Sequence, residues 1–161
     1  MQLFAFFDRY FWLICIAIAG LNYVSAVRTA ADLTELTDAQ RARRKNLIQR
    51  GFAISTLPWL VMGLGIVSRR VDGVFSYFDP SAGNVCVWAW YVSLFLVACG
   101  FCFWVFVHGG AKEIVDLKLL KAHGPRGEIA LREGWIKFLA AIGPLFVVLW
   151  VWMVSMMPMS K

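Results

Sequence analysis

Residues 80–111 read PSAGNVCVWAWYVSLFLVACGFCFWVFVHGGA and contain no Asp, Glu, Lys or Arg. A helix needs about 20 apolar residues to cross a hydrocarbon layer roughly 30 Å thick. This stretch is long enough, so it predicts a membrane-spanning helix.

Three further runs without charge lie at 10–27, 51–68 and 138–160. The 161 residues are 60% hydrophobic and 16% charged, whereas a soluble domain has about 45–50% apolar and about 25% charged residues. We predict an all-α integral membrane protein, an antiparallel four-helix bundle that forms a single domain over 1–161. The expected spans are 10–27, 51–69, 84–108 and 135–157. This composition excludes a soluble enzyme domain and a secreted disulfide scaffold.

The first apolar run could belong to a secretory signal peptide, which would begin with a basic segment. Residues 1–7 are instead MQLFAFF, and Asp8 and Arg9 stand directly before the run. We therefore expect a retained helix.

Lysine and arginine in the loops set the orientation, because cytoplasmic loops carry an excess of them. Loops 28–50 and 109–134 hold most of these residues, and the other side has only Arg9, Arg69, Arg70 and Lys161. We expect both loops to be cytoplasmic and both termini outside, in the inner membrane of a bacterium.

The first cytoplasmic loop has two features. Thr37 and Gln40 match the capping-box pattern, so we expect a helix that begins at Asp38 and continues into the second span. A basic cluster follows, and we expect it to contact anionic lipid or an acidic partner. It lacks the interleaved aromatic residues that stack on nucleic acid. The cluster consists of Arg41, Arg43, Arg44 and Lys45.

The second cytoplasmic loop reads as helical over 111–122. Its apolar residues lie all around the helix instead of forming one stripe, which argues against a helix lying flat on the membrane. We expect Ile114, Leu117 and Leu120 to be covered by a partner chain.

Polar side chains within the spans are few, and the most polar is Asn22. An unpaired amide is costly in hydrocarbon, so we expect Asn22 to hydrogen-bond to a neighbouring helix; contact with a substrate is the alternative. In the outer loop 71–84, we expect Phe75, Tyr77 and Phe78 to lie on lipid headgroups or on a partner.

The sequence offers little for redox or metal chemistry. Cys99 and Cys102 form a CxxC pattern inside an apolar span, whereas a redox CxxC lies at a helix N-terminus that lowers the thiol pKa. His108 has no second histidine at its depth, so a haem would have to be shared with another chain. We expect no cofactor and no metal.

These observations favour a non-catalytic membrane subunit that binds other membrane chains, as a homo- or hetero-oligomer. The alternatives are a small oligomeric transporter or channel, an electron-transfer subunit that helps to hold a haem or quinone, and a membrane immunity factor. No motif supports an enzyme.

Overall fold

The computed structural model describes most of the chain. The described residues are 2–31, 36–80, 83–119, 122–124, 127–129 and 132–156, with side chains for 3–28, 36–80, 83–119 and 132–156.

Four of its helices are long and apolar enough to cross a membrane, as predicted. Three of them begin before the corresponding charge-free run, because regular helix continues into its polar flank, whereas the third along the chain lies entirely within the run 80–111. The long helices are α1 (Gln2–Ala31), α2 (Asp38–Val67), α3 (Val85–Val107) and α5 (Glu133–Met156).

Helix α2 begins as the sequence predicts. The Thr37 side chain accepts a hydrogen bond from the backbone N–H of Gln40, and the Gln40 side chain accepts one from the backbone N–H of Thr37. This reciprocal pair satisfies two backbone donors that a helix N-terminus leaves free. The helix then continues without a break into the second apolar run, which confirms that prediction.

Shorter elements connect the long helices. A 3-10 helix, Val74–Phe78, follows α2, and α4 (Gly110–Asp116) follows α3. Two three-residue strands then pair antiparallel, with Ala122 opposite Ile129. The strands are β1 (Ala122–Gly124) and β2 (Gly127–Ile129).

The helix predicted over 111–122 is therefore much shorter than expected. It ends in a Schellman motif: the N–H of Leu119 donates to the carbonyl of Ile114, and the N–H of Lys118 to that of Val115. Lys118 has a φ of 47°, a left-handed conformation that breaks the helix although no glycine or proline marks the point.

The long helices pack against their neighbours along the chain: α1 against α2, α2 against α3, and α3 against α5. The main core lies where the 3-10 helix meets α2 and α3. It is built around buried apolar side chains that include Met62, Tyr77, Val87 and Trp90. A smaller cluster joins α3, α4 and α5 through Val105, Ala111, Ile114, Ile136 and Ala140.

Candidate functional site

The first candidate site surrounds Arg44, whose side chain is 2% exposed. Its Nε donates to the carbonyl of Leu117 at 3.0 Å, and its two terminal nitrogens donate to Ala26 at 2.9 Å and Lys118 at 3.4 Å. Leu117 caps α4 and Lys118 follows it, so two of these carbonyls belong to a helix end that leaves acceptors unpaired. We call this region, formed by Ala26, Arg44 and α4, the arginine end.

This geometry follows from the guanidinium group. Arginine has five N–H donors in a rigid fork and stays charged, so one side chain can reach three carbonyls on two different elements. The two shorter bonds, to Ala26 and Leu117, are charge-assisted and stronger than bonds between neutral groups, whereas the contact with Lys118 is long at 3.4 Å. Arg44 therefore ties α1 and α4 to α2.

The four predicted basic residues do not form one surface. Arg44 is buried, which corrects its assignment to a lipid or partner patch. Arg43 forms an ion pair with Glu113 of α4, and Arg41 forms one with Asp38 at 3.3 Å. Arg43 and Lys45 remain exposed, and Arg41 is half-buried.

Helix α4 is covered by this chain itself. Ile114 and Leu117 are each 4% exposed, and Ile114 packs in the cluster with Val105 and Ile136. The surface predicted for a partner at these two residues is thus used internally, because α4 folds back between α3 and α5. Leu120, the third predicted contact, lies outside the described residues.

The second candidate site is at the opposite end of the helices, around Tyr77 in the 3-10 helix. Tyr77 is 0% exposed, and its hydroxyl donates to the carbonyl of Met62 at 3.0 Å. Gly65 makes room for it, because a Cβ at that position would collide with the Tyr77 hydroxyl. Burial raises the pKa of Tyr77 to about 12, so the ring stays neutral.

Aromatic rings complete this end. The Trp90 ring lies edge-on to Tyr77 at 5.6 Å and to Phe78 at 6.1 Å, and Phe78 meets Trp150 at 6.2 Å. Edge-to-face pairs at such distances add to the energy of burial. The expectation that Tyr77 lies on headgroups or a partner is therefore wrong: it is in the core, while Phe75 stays exposed.

Asp8 ties α1 to the same end. Its carboxylate accepts a hydrogen bond from the backbone N–H of Phe75 at 3.0 Å and lies directly against Gly73, where a Cβ would overlap it. The rings of Phe4 and Phe75 stack at 4.8 Å. We call the region formed by Asp8, the 3-10 helix and Trp90 the aromatic end.

A cavity of about 410 Å³ lies beside this end. The Asn84 amide nitrogen donates to the Arg70 carbonyl at 2.6 Å, and its oxygen accepts from the N–H of Cys86 at 2.9 Å. Asn84 is therefore the N-cap of α3, and both polar atoms of its side chain already form hydrogen bonds. The cavity is lined by Arg70, Val71, Asp72, Phe75, Ser76, Asp79, Asn84 and Val87.

The third candidate site is the outward side of α1. None of the side chains described between residues 3 and 28 is buried. Asn22 is exposed, and its amide makes no hydrogen bond to any residue that the structure describes. The expected bond from Asn22 to a neighbouring helix of this chain is thus not formed, because the residues that face α2 are others, such as Trp12 and Tyr23.

The cysteines and His108, which were candidates for redox chemistry or metal binding, do not come together in one site. All four cysteines are free thiols, and the His108 ring lies against Phe103 at 5.3 Å. Among the described residues, no three His, Cys, Asp or Glu side chains come together as a metal site would require.

The sequence did not predict the structural roles of three residues that organise these sites: Asp8, Gly65 and Tyr77. A signal existed for two of them. Asp8 is an acid directly beside an apolar span, and Gly65 lies in a Gly-Leu-Gly segment within one. Tyr77 had none, since a tyrosine in a loop between spans is typical of the membrane interface.

No family model, curated protein or solved structure matches this chain.

Proposed function

We propose that this chain is a non-catalytic integral membrane subunit that binds other membrane chains. In this proposal the long helices form an antiparallel bundle across the inner membrane of a bacterium. The aromatic end and both termini face outward, and the arginine end faces the cytoplasm.

The exposed side chains support insertion. Large apolar residues such as Leu21, Leu64, Leu96 and Phe146 are more than 60% exposed on the sides of the four long helices. A soluble monomer rarely exposes a contiguous apolar patch above a few hundred Å², whereas lipid tails cover such surfaces at no cost.

The charges support the orientation. Arg41, Arg43 and Lys45 remain at the surface near the arginine end, where phosphates of anionic lipids attract basic residues. The loop 71–84 at the other end contains no Lys or Arg, and only Arg69 and Arg70 stand directly before it. Cytoplasmic loops carry the excess of basic residues, so the arginine end is the cytoplasmic one.

One observation carries the partner-binding function: α1 packs mainly against α2 and leaves the Asn22 amide exposed within an apolar segment. An amide in hydrocarbon loses its hydrogen bonds with water and gains none from lipid tails. A helix of another chain can supply a hydrogen-bonding partner, and lipid cannot.

The test is the protein mass of the particle extracted in mild detergent, measured by light scattering with the detergent contribution subtracted. We expect a mass well above the 18.2 kDa of one chain, and a fall towards that value for Asn22→Leu. Val24→Leu is the matched control, because Val24 is 41% exposed on the other side of α1. A particle of 18.2 kDa, with no crosslinked partner in membranes, would contradict the proposal.

A further inference from the structure

We propose that the partner of α1 is α1 of a second copy of this chain, with the two Asn22 amides hydrogen-bonded across a two-fold axis normal to the membrane. This inference rests on the proposed function and names the partner.

Asn22 lies at a depth where an amide without a hydrogen-bonding partner costs free energy. It precedes Arg28, the first basic residue after the span, by six positions, which is about 9 Å along a helix at 1.5 Å per residue. Long side chains such as lysine reach water from this depth by snorkelling, but an asparagine side chain is too short. The amide therefore needs a protein partner.

Contacts within the chain prevent α1 from turning Asn22 inward. The Trp12 ring fills the space at Gly63, the Asp8 carboxylate accepts from the Phe75 N–H, and the Ala26 carbonyl accepts from Arg44. These contacts lie near the middle and at both ends of α1. Rotation of the helix would break all of them.

A second copy fits this side of α1 for two reasons. An amide has both a donor and an acceptor, so two asparagines related by a two-fold axis satisfy each other. All copies inserted in one direction carry Asn22 at the same depth, so parallel α1 helices bring the two amides together. No other chain is certain to present a polar group at that depth.

The neighbours of Asn22 give the contact its apolar area. At 100° per residue, Phe7, Phe11, Ile18 and Asn22 fall within about 60° of one another on the helix. The three apolar side chains are 42%, 38% and 52% exposed. They form a side with helical spacings of four and seven residues that borders α2 at Phe11, whose ring lies edge-on to Trp59 at 6.2 Å, and such a side suits packing along a parallel helix.

Disulfide crosslinking in native membranes tests this contact with Asn22 left in place. All four native cysteines are replaced by alanine, and Ile18→Cys or Val24→Cys is introduced before mild oxidation. We expect a band of twice 18.2 kDa for Ile18→Cys and little of it for Val24→Cys. Adding Asn22→Leu to Ile18→Cys lowers the band about tenfold at limiting expression, whereas Asn22→Gln retains much of it.

The outcomes separate the two proposals. A crosslinked product of another mass would overturn the second copy while supporting a membrane partner. A dimer band equal for Ile18→Cys and Val24→Cys, or unchanged by Asn22→Leu, would overturn the Asn22 contact. The Asn22→Leu chain should still insert, because the amide makes no hydrogen bond to a described residue of its own chain, and its amount in the membrane fraction checks this.

Discussion

The two ends of the molecule are closed by different chemistry. At the arginine end a buried cation donates to three backbone carbonyls. At the aromatic end the buried polar groups are neutral, the Tyr77 hydroxyl among them, and rings fill the space around that hydroxyl. Charge is expensive to bury unless it is fully hydrogen-bonded, whereas rings gain energy from contact area alone.

The two ends are therefore sensitive to different kinds of substitution. The arginine end depends on a single side chain that joins three elements, so its loss removes three contacts at once. The aromatic end is distributed over several rings and depends on close fit. Substitution of Arg44 should therefore have a larger effect on the free energy of unfolding than conservative substitutions at the aromatic end.

The largest effect is expected for Arg44→Ala. It removes the hydrogen bonds to Ala26, Leu117 and Lys118 and leaves the buried Leu117 carbonyl without this donor, so we expect a loss of about 3 kcal/mol in the free energy of unfolding. Arg44→Lys should cost less, about 1–2 kcal/mol, because an ammonium group keeps the charge but not the fork. Titration from mild detergent into SDS, followed by helical circular dichroism, measures both.

Lys45→Ala is the matched control for Arg44, since it removes an adjacent exposed cation. We expect its effect to stay within about 0.5 kcal/mol. Equal losses for Arg44→Ala and Lys45→Ala would show that the buried bonds do not support the arginine end.

The next effect tests the close fit at the aromatic end. Gly65→Ala places a Cβ against the Tyr77 hydroxyl, and we expect overpacking to cost about 2 kcal/mol. Gly51→Ala in the same helix meets no atom within 4 Å, so it should stabilise α2 by up to about 1 kcal/mol. The same SDS titration should give changes of opposite sign.

A double substitution sharpens this result. Tyr77→Phe removes the hydroxyl that a Cβ at residue 65 would meet, so Gly65→Ala should cost less in the Tyr77→Phe background. Additive losses would mean that the two residues do not act through one contact.

A smaller effect is expected for Tyr77→Phe alone. Loss of the hydrogen bond to Met62 should cost about 1 kcal/mol, while Tyr10→Phe, at an exposed ring, should cost almost nothing. Destabilisation of Tyr10→Phe to the same extent would argue against a specific role for the buried hydroxyl.

The raised pKa of Tyr77 makes the stability of the folded chain depend on pH. The pKa is about 12 in the folded chain and about 10 when the chain is unfolded. Below pH 10 the ring is neutral in both states; above it, only the unfolded state releases the proton, so stability falls as pH rises from 10 towards 12. Melting temperatures over this range should fall less steeply for Tyr77→Phe than for the unchanged chain, and parallel curves would contradict the burial.

The smallest effect is expected for Arg43→Ala at the arginine end. Its ion pair with Glu113 joins an arginine side chain that is 70% exposed to a glutamate side chain that is 13% exposed, so water screens the pair from the arginine side only. We expect only a small loss in the SDS titration, well below that of Arg44→Ala. A loss as large as that of Arg44→Ala would mean that the surface pair, and not the buried bonds, ties α4 to α2.

The long helices were predictable from the sequence, because hydrophobic length and a capping box depend on local residues. The end of α4 was not predictable, since Lys118 adopts a left-handed backbone conformation that no neighbouring glycine or proline indicates. Arg44 lies in a run of basic residues, and no local sequence feature distinguishes this buried arginine from its exposed neighbours. Its burial depends on tertiary contacts, which the sequence pattern does not show.

The partner surface illustrates the same limit. Ile114 and Leu117 have an apolar pattern that correctly indicates contact with protein, but a pattern cannot tell whether that protein is the same chain. Conversely, the polarity of Asn22 indicates a need for hydrogen bonds, and only the rotation of α1 against α2 shows which way the amide faces.

The most direct test of the account is the side of the membrane on which each end lies. In a cysteine-free background, Asp72→Cys and Asp38→Cys place single thiols at exposed positions near the aromatic and arginine ends. An impermeant maleimide applied to intact bacterial cells should label Asp72→Cys at once, and Asp38→Cys only after permeabilisation. Labelling of Asp38→Cys but not Asp72→Cys in intact cells would contradict the orientation, and equal labelling of both would contradict a membrane between the two ends.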